Sequence, residues 1–435
     1  MKTKKSRTVR WLAIVLVFLT LFAIPTSNAY AEPESQNQAN HILLYCLSTN
    51  TLLYEKGADI PLDPGYTSQM MTALLALEYD PNLTKTVTLS PDLLDSWEFP
   101  RDFRAYTYYG FQKGATVPIK DLLAAMTLSN ATSAAALLAA SIGGSVEKFV
   151  EMMNARALEL GMEQTVFANP TGAPSTSATS TLQDLFKLTT LLYKNTRYMD
   201  LASSKSYQLA NGAWIYTRNY LIGKWFLKDD VAEELLYSRA TGMKTDSTDS
   251  QSGGKTTSMV IATATERDDN TYLAMVMGGQ DENVYRVAKD FFKWGSTDFR
   301  SLKVIARETL YTHLPVEGGD RTSQVPIFPQ KDMTAFLPSS VTLEDITYKY
   351  ILTKKELEAP LAYDTEVGEV QAFVGDKMVA SCKLIVGQNL VQGKDSQVYG
   401  VFGSILLSPL VLITLLIFAI YFLRKYLIYR KTKQS

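Results

Sequence analysis

Three features of the 435-residue sequence predict an α/β domain, then a small all-β domain and a C-terminal transmembrane helix. Between residues 40 and 297, strand-like alternation at both ends encloses a helical middle, so one sheet would join the two ends of the segment. Between 298 and 392 the helical period disappears, and short alternating runs are separated by Gly, Pro and Asp. From Val401 to Leu423 no residue is charged, a run long enough to cross a bilayer at ~1.5 Å per residue.

The chain opens with Lys2, Lys4, Lys5, Arg7 and Arg10, then an apolar run from Trp11 to Ile24 and small residues ending Ala29-Tyr30-Ala31. This is the pattern of a secretory signal peptide, residues 1–31, cut after Ala31; a retained N-terminal anchor is the other reading. His41 to Tyr54 reads as two short strands around a Ser-Thr-Asn turn. Pro61 to Glu78 (PLDPGYTSQMMTALLALE) starts a buried helix. Its prolines block an earlier turn, Thr67 or Ser68 can cap the first N–H groups, and Met70, Met71, Leu74, Leu75 and Leu77 supply an apolar face. Taken alone, this stretch is a core helix and nothing more.

Leu89 to Gly114 is rich in aromatics and turn formers and reads as irregular. Val117 to Ile142 reads as one helix, apolar on nearly all sides. Ser145 to Leu160 is an amphipathic helix closed by Gly161. Phe167 to Gly172 is a turn-rich loop, and Thr181 to Lys194 is helical again. Met259 to Thr265 and Thr271 to Gly278 form a hairpin around Arg267 to Asn270, and a helix from Val287 to Trp294 closes the domain.

In the all-β segment, Val304–Thr309, Val341–Lys349, Val367–Val374 and Lys377–Val386 alternate like strands. Gly393 to Gln397 is a short linker. The uncharged run 401–423 is followed by Arg424, Lys425, Arg430, Lys431 and Lys433 in the tail 424–435. Basic residues favour the cytoplasmic side, which predicts a single-pass plasma-membrane protein with its body outside. Setting these five bases and the five at the N-terminus apart from the formal net charge of −1 leaves the body at −11. No basic patch survives to neutralise phosphates, which excludes a nucleic-acid partner.

Two cysteines, Cys46 and Cys382, are too few for a disulfide framework or a thiolate zinc site. The two histidines, His41 and His313, fall in different predicted domains. That argues against a Ser-His-Asp or Cys-His system and against a His-based zinc site. The chain has neither a phosphate-binding glycine loop nor a dinucleotide fingerprint, so no cofactor is expected.

A hydrolase without histidine can use a Ser nucleophile activated by Lys, with the signatures S-x-x-K, S-x-N and K-T-G. The framework of such a protein is present here. It comprises MMTALLALE, Asp121-Leu122-Leu123, Phe149 to Gly161, the F-x-N-P-x-G loop at Phe167 to Gly172, and Gly242-Met243-Lys244-Thr245. Leu357-Glu358-Ala359-Pro360 and Glu366-Val367-Gly368 extend the likeness. From about residue 40 to 390 the chain resembles the serine-type D-Ala-D-Ala carboxypeptidases of peptidase family S11, the low-molecular-weight penicillin-binding proteins. The resemblance implies a β-lactamase/transpeptidase-like domain and a role in peptidoglycan metabolism. Its ligand would be a peptidoglycan stem peptide, or its partner another cell-wall or division protein.

The reactive positions depart from that pattern. The family reads P-A-S-T-T-K-I/M-M-T where this chain has Pro64 to Thr72, so the nucleophile position falls on Tyr66 and the base position on Gln69. A phenol is bulky, with an ordinary pKa near ~10, and an amide accepts no proton. The family's S-G-N becomes Asn130-Ala131-Thr132, leaving Asn130 at the proton-relay position and Thr132 at the substrate-binding one. By resemblance, Lys244 and Thr245 would hold the substrate's terminal carboxylate, but Asp246 stands where the family has Gly. These substitutions predict a catalytically inactive homologue with a binding, scaffold or regulatory role. The alternative is a working carboxypeptidase with an unconventional nucleophile, Thr67 or Ser68. Two further S-x-x-K strings, Ser145–Lys148 and Ser252–Lys255, read as a capped helix turn and a loop.

Overall fold

The computed structural model describes residues 32–88, 114–226, 228–248, 257–266, 268–319, 324–392 and 409–432. The expected signal peptide, most of the irregular stretch before Gly114, the Ser252–Lys255 string, the linker at 393–397 and residues 401–408 lie outside the described residues. The chain divides into two compact units between Phe299 and Arg300.

In chain order the first unit runs β1 (His41–Cys46), β2 (Thr51–Lys56), α1 (Ser68–Tyr79), β3 (Thr86–Thr88), β4 (Thr116–Pro118), α2 (Ile119–Ser129), α3 (Thr132–Gly143) and α4 (Val146–Glu159). It continues with α5 (Leu182–Tyr193), α6 (Thr196–Ala202), β5 (Ser206–Gln208), β6 (Trp214–Tyr216), α7 (Asp229–Leu235), β7 (Ala240–Thr248), β8 (Thr257–Thr265), β9 (Thr271–Gly279) and α8 (Asn283–Thr297). The main sheet has the order β2-β1-β9-β8-β7, every pair antiparallel. His41 pairs with Met277, so the sheet joins the two ends of the unit. Alternation along the strands sorts the two faces. Leu43, Ile261, Leu273 and Met275 share a core with α1. Leu44 and Tyr272 sit on the other face, close against Gly295 of α8.

Two helices differ from the sequence reading. The start of α1 has no side-chain cap: a 3-10 turn over Gly65–Thr67 leads into it, and the Ser68 N–H donates to the Gly65 and Tyr66 carbonyls. Thr67 Oγ1 instead donates to the Pro64 carbonyl at 2.5 Å. The helix is also buried on every side from Ser68 to Leu77, so the expected apolar face is only part of its contact surface. The long helix expected over 117–142 is broken into α2 and α3 by Asn130, which adopts a left-handed conformation (φ 60°, ψ 29°). Asparagine tolerates that region, where most side chains do not.

The second unit contains β10 (Phe299–Ile305), β11 (Thr312–Glu317), β12 (Gln324–Pro329), β13 (Met333–Pro338), β14 (Ile346–Leu352), β15 (Leu357–Glu358), β16 (Glu366–Val374) and β17 (Lys377–Val386). Six form a sheet in the order β14-β16-β17-β12-β11-β15, and β10 pairs with β13. The expected strand at 304–309 lies earlier, ending at Ile305. The one at 341–349 begins only at Ile346, because Thr342 and Asp345 close a capping box first. Four strands are not among those the sequence predicts: β11, β12 and β13, where Pro315, Pro326, Pro329 and Pro338 read as strand breakers, and the two-residue β15.

The last described element is α9 (Pro409–Thr432), with Ile413, Leu416, Phe418 and Phe422 exposed. Among the described residues no single helix is long and apolar enough to cross a membrane. One pair bent by 86°, α3 with α4, passes on length and composition alone, and α3 is largely buried in the first unit's core.

Candidate functional site

The side chains that meet at the start of α1 come from three parts of the first unit. Gln69 lies in the first turn of α1, Asn130 at the α2–α3 break, and Lys244 on β7 next to a bulge at Met243. Lys244 is 2% exposed and Gln69 1%. The Lys244 ammonium donates to Gln69 Oε1 at 2.7 Å, Asn130 Oδ1 at 2.6 Å and the Met126 carbonyl at 2.9 Å. An ammonium has three N–H donors, and these three contacts all go to oxygens of the protein itself. The two amides complete the cluster. Gln69 Nε2 donates to the Thr171 carbonyl at 2.8 Å and the Asn130 carbonyl at 3.4 Å, while Asn130 Nδ2 donates to the Thr245 carbonyl at 2.9 Å. Tyr66 is half-buried at the rim, its ring centroid 6.0 Å from Lys244 Nζ.

The loop beside the cluster is organised by Asn169. Its Oδ1 accepts from the Thr171, Gly172 and Ala173 N–H groups and from Thr171 Oγ1, at 2.8–3.1 Å. This turn aims the Thr171 carbonyl at Gln69 and the Pro170 carbonyl at Thr72 Oγ1, 2.8 Å away. Gly172 holds φ +79°, and a Cβ there would lie 2.5 Å from Tyr66 Cα. Behind β7, the buried Tyr198 hydroxyl donates to the Met243 carbonyl at 3.0 Å, and burial pushes that phenol well above its ordinary value.

Of the six family-equivalent positions, Tyr66, Gln69, Asn130 and Lys244 bring their side chains together, and Thr245 contributes its carbonyl. Thr132 lies in the first turn of α3 with its hydroxyl buried and without a hydrogen-bond partner. Lys244 is committed inside the protein rather than presented to a ligand. Ser129, next to Asn130, donates to the Ala125 carbonyl of its own helix at 2.7 Å. Asp246 pairs through its backbone with Met259, and its side chain lies outside the described residues. Ser145 caps α4 by accepting from the Lys148 N–H. The Met126 and Thr171 carbonyls were not foreseen as parts of the cluster, since backbone groups leave no signal in residue identity. Chemically, Gln69 has no titrating nitrogen to accept a proton from a neighbouring hydroxyl.

The family model for D-alanyl-D-alanine carboxypeptidase matches residues 27–281, more than half of the chain. The chain belongs to that family, peptidase S11. A second model, the C-terminal domain of penicillin-binding protein 5, matches 299–392. The D-alanyl-D-alanine carboxypeptidase DacC of Escherichia coli (strain K12) is 25% identical over 411 residues, 93% of this chain and 96% of that protein. DacA of the same strain is 24% identical over 362 residues, 82% of this chain and 85% of its own length. The fold is that of penicillin-binding protein 5 from Haemophilus influenzae, with a TM-score of 0.58 and 23% identity, covering 82% of this chain and 98% of that one.

Proposed function

We propose that this S11 homologue acts in peptidoglycan metabolism without catalysing hydrolysis, by binding wall stem peptides or another cell-wall or division protein. The observation that carries the reading is the closed Gln69–Lys244–Asn130 cluster, with Tyr66 at the nucleophile position. A serine-type acyl transfer needs a hydroxyl within reach of a base. Thr67 Oγ1 is turned back to the Pro64 carbonyl, and the amide of Gln69 stands where the base is required. The uncharged run at 401–423 and its basic tail support retention in the plasma membrane with the body facing the wall.

Incubation with a fluorescent penicillin, read by gel and intact mass, is expected to give no adduct with the folded full-length chain. An adduct that disappears on Ser68→Ala or Thr67→Ala would instead establish the unconventional nucleophile. Cell fractionation is expected to leave the chain in the membrane after a carbonate wash and to release a truncation ending at Gln392. Titration with a stem pentapeptide tests the ligand side; no binding of peptide and no co-purifying wall protein would remove the reading.

A further inference from the structure

The six-stranded sheet of the second unit ends differently at its two edges. One edge is β15, only two residues long. The other is β14, which pairs with β16 from Ile346 to Leu352 without a register shift. Sheet edges are kept from pairing by brevity, proline, a bulge or charge, and along β14 only Lys349 does this. Thr347 to Ile351 are exposed without interruption. The Thr353 N–H donates to the Val367 carbonyl at 3.0 Å, which fixes the alternation. Thr347, Lys349 and Ile351 bond to β16, and the N–H and C=O groups of Tyr348, Tyr350 and Leu352 point away from it. Among the described residues no strand pairs with that outer edge. Its rings are already held in place. Tyr311 stacks on Tyr350 with centroids 3.8 Å apart, and the Tyr348 hydroxyl donates to the Val304 carbonyl at 2.8 Å.

The order of charge along the segment selects the occupant. Glu344 and Asp345 precede β14, and Lys354 and Lys355 follow it, with Glu356 after them; all five are exposed. An antiparallel second copy sets the acidic end of one strand beside the net-basic end of the other, and two-fold symmetry repeats the match. A parallel copy would bring like ends together. Neighbouring charges leave this pattern intact: Asp376 and Lys377 offset each other at the β16–β17 turn, and Glu369, opposite Ile351, accepts from Ser381 and Gln371. Centring the pair on Tyr350 joins Tyr350 to its own copy and Tyr348 to Leu352. It also sets Lys349 opposite Ile351 rather than opposite another Lys349. We propose that β14 pairs antiparallel with β14 of a second copy about Tyr350, giving a two-fold dimer whose sheet runs on through both second units.

The test follows the full-length chain in mild detergent by sedimentation over a concentration series, with cysteine cross-linking as a second measurement. A reversible dimer is expected. Tyr350→Lys, which sets two ammonium groups together at the two-fold axis, should weaken it at least about tenfold. Lys354→Glu with Lys355→Glu, which makes both ends acidic, should weaken it at least about threefold. Adding Glu344→Lys should recover part of that loss, a gain that damage to the fold would not give. Asp345 is left in place because it closes the capping box with Thr342. Tyr350→Cys should give an oxidant-induced homodimer, since directly bonded antiparallel residues stand about 5.5 Å apart at Cα. Lys349→Cys, on the other face, should give at least about tenfold less. Cys46 and Cys382 are buried, so the wild type supplies the background. All variants should keep the wild-type thermal midpoint. A wild type that is monomeric at every concentration overturns the proposal, as does a dimer unchanged by Tyr350→Lys or by the two glutamates. Equal cross-linking at 349 and 350 overturns the register and the proposal with it. Cross-linking of Tyr350→Cys in membranes to a different protein, and not to a second copy, gives the edge to another partner and likewise overturns it.

Discussion

The Asn169 turn and the start of α1 lie against each other, yet their residues stand in opposite relation to the family pattern. In the turn the pattern is complete, and one carboxamide oxygen gathers four donors. At the helix start both reactive residue types are missing, and the backbone around them is nonetheless held. Gln69 takes the Thr171 carbonyl on one side and the Lys244 ammonium on the other. A buried ammonium and a buried carbonyl each need a partner, and a carboxamide serves both because it accepts and donates. Residues that shape the chain and residues that move protons are thus under separable constraints. The second set can be replaced as long as every buried polar group still finds a bond.

If the turn and the helix start are one mechanical unit, the largest effect should come from Gly172→Ala. The new Cβ would sit at φ +79° and within 2.6 Å of both Tyr66 Cα and the Gly65 carbonyl oxygen. Backbone strain together with overpacking against main-chain atoms should remove roughly 4 kcal/mol, measured by urea denaturation. A loss below about 1 kcal/mol would mean the two segments move apart freely. On the helix side, Lys244→Met leaves Gln69 Oε1, Asn130 Oδ1 and the Met126 carbonyl without their donor, which should cost about 3 kcal/mol. A neutral or stabilising result would show that these oxygens reach water and that the cluster is open. On the turn side, Asn169→Ala removes the shared acceptor and should cost about 2 kcal/mol, with the Gln69–Thr171 contact loosened in amide hydrogen exchange.

How much of this was legible in the sequence follows the same division. The hairpins at β1–β2 and β8–β9 and the helices α4 and α5 announce themselves through period, caps and Gly161, which are local signals. The convergence of Gln69, Asn130 and Lys244 was legible only through motif resemblance, since 175 residues separate Gln69 from Lys244 and no local pattern links them. What the resemblance left open was the use of Lys244. Whether an ammonium faces a ligand or its own protein depends on which acceptors surround it, and one of those is a carbonyl on α2. The break at Asn130 was hidden because Asn lowers helix propensity only mildly, whereas the bonds of its side chain to β7 decide its conformation. In the second unit, prolines in edge and paired strands concealed β11 to β13 for the opposite reason: a strong local signal overridden by the sheet.

A smaller effect concerns a phenol at the start of α2, away from the polar cluster's side chains. The Tyr207 hydroxyl donates to Asp121 Oδ1 at 3.0 Å, and burial together with that carboxylate pushes its pKa from 10.0 up to about 12. The folded state therefore favours the protonated phenol. This contribution to stability is complete below pH 10 and is lost as pH rises from 10 toward about 12. The urea midpoint of the wild type should fall more steeply across that window than that of Tyr207→Phe. Parallel curves would show that the Tyr207–Asp121 bond is not maintained.

The smallest effect distinguishes a string that merely looks reactive from one that occupies the reactive place. Ser145 and Lys148 form an S-x-x-K sequence, but the Ser145 oxygen accepts the Lys148 backbone N–H at 3.2 Å as the N-cap of α4. Glu147, in the first turn of that helix, is held below the usual carboxylate range by hydrogen bonds from its own backbone N–H and from Ser145. Ser145→Ala should therefore cost about 1 kcal/mol, as loss of a cap does. Ser145→Asp should restore most of it, because a carboxylate caps the same N–H and suits a helix N-terminus. Neither substitution should alter the response to penicillin. A covalent adduct in the wild type that vanished in Ser145→Ala would move the reactive centre to α4 and undo the contrast between the two sites.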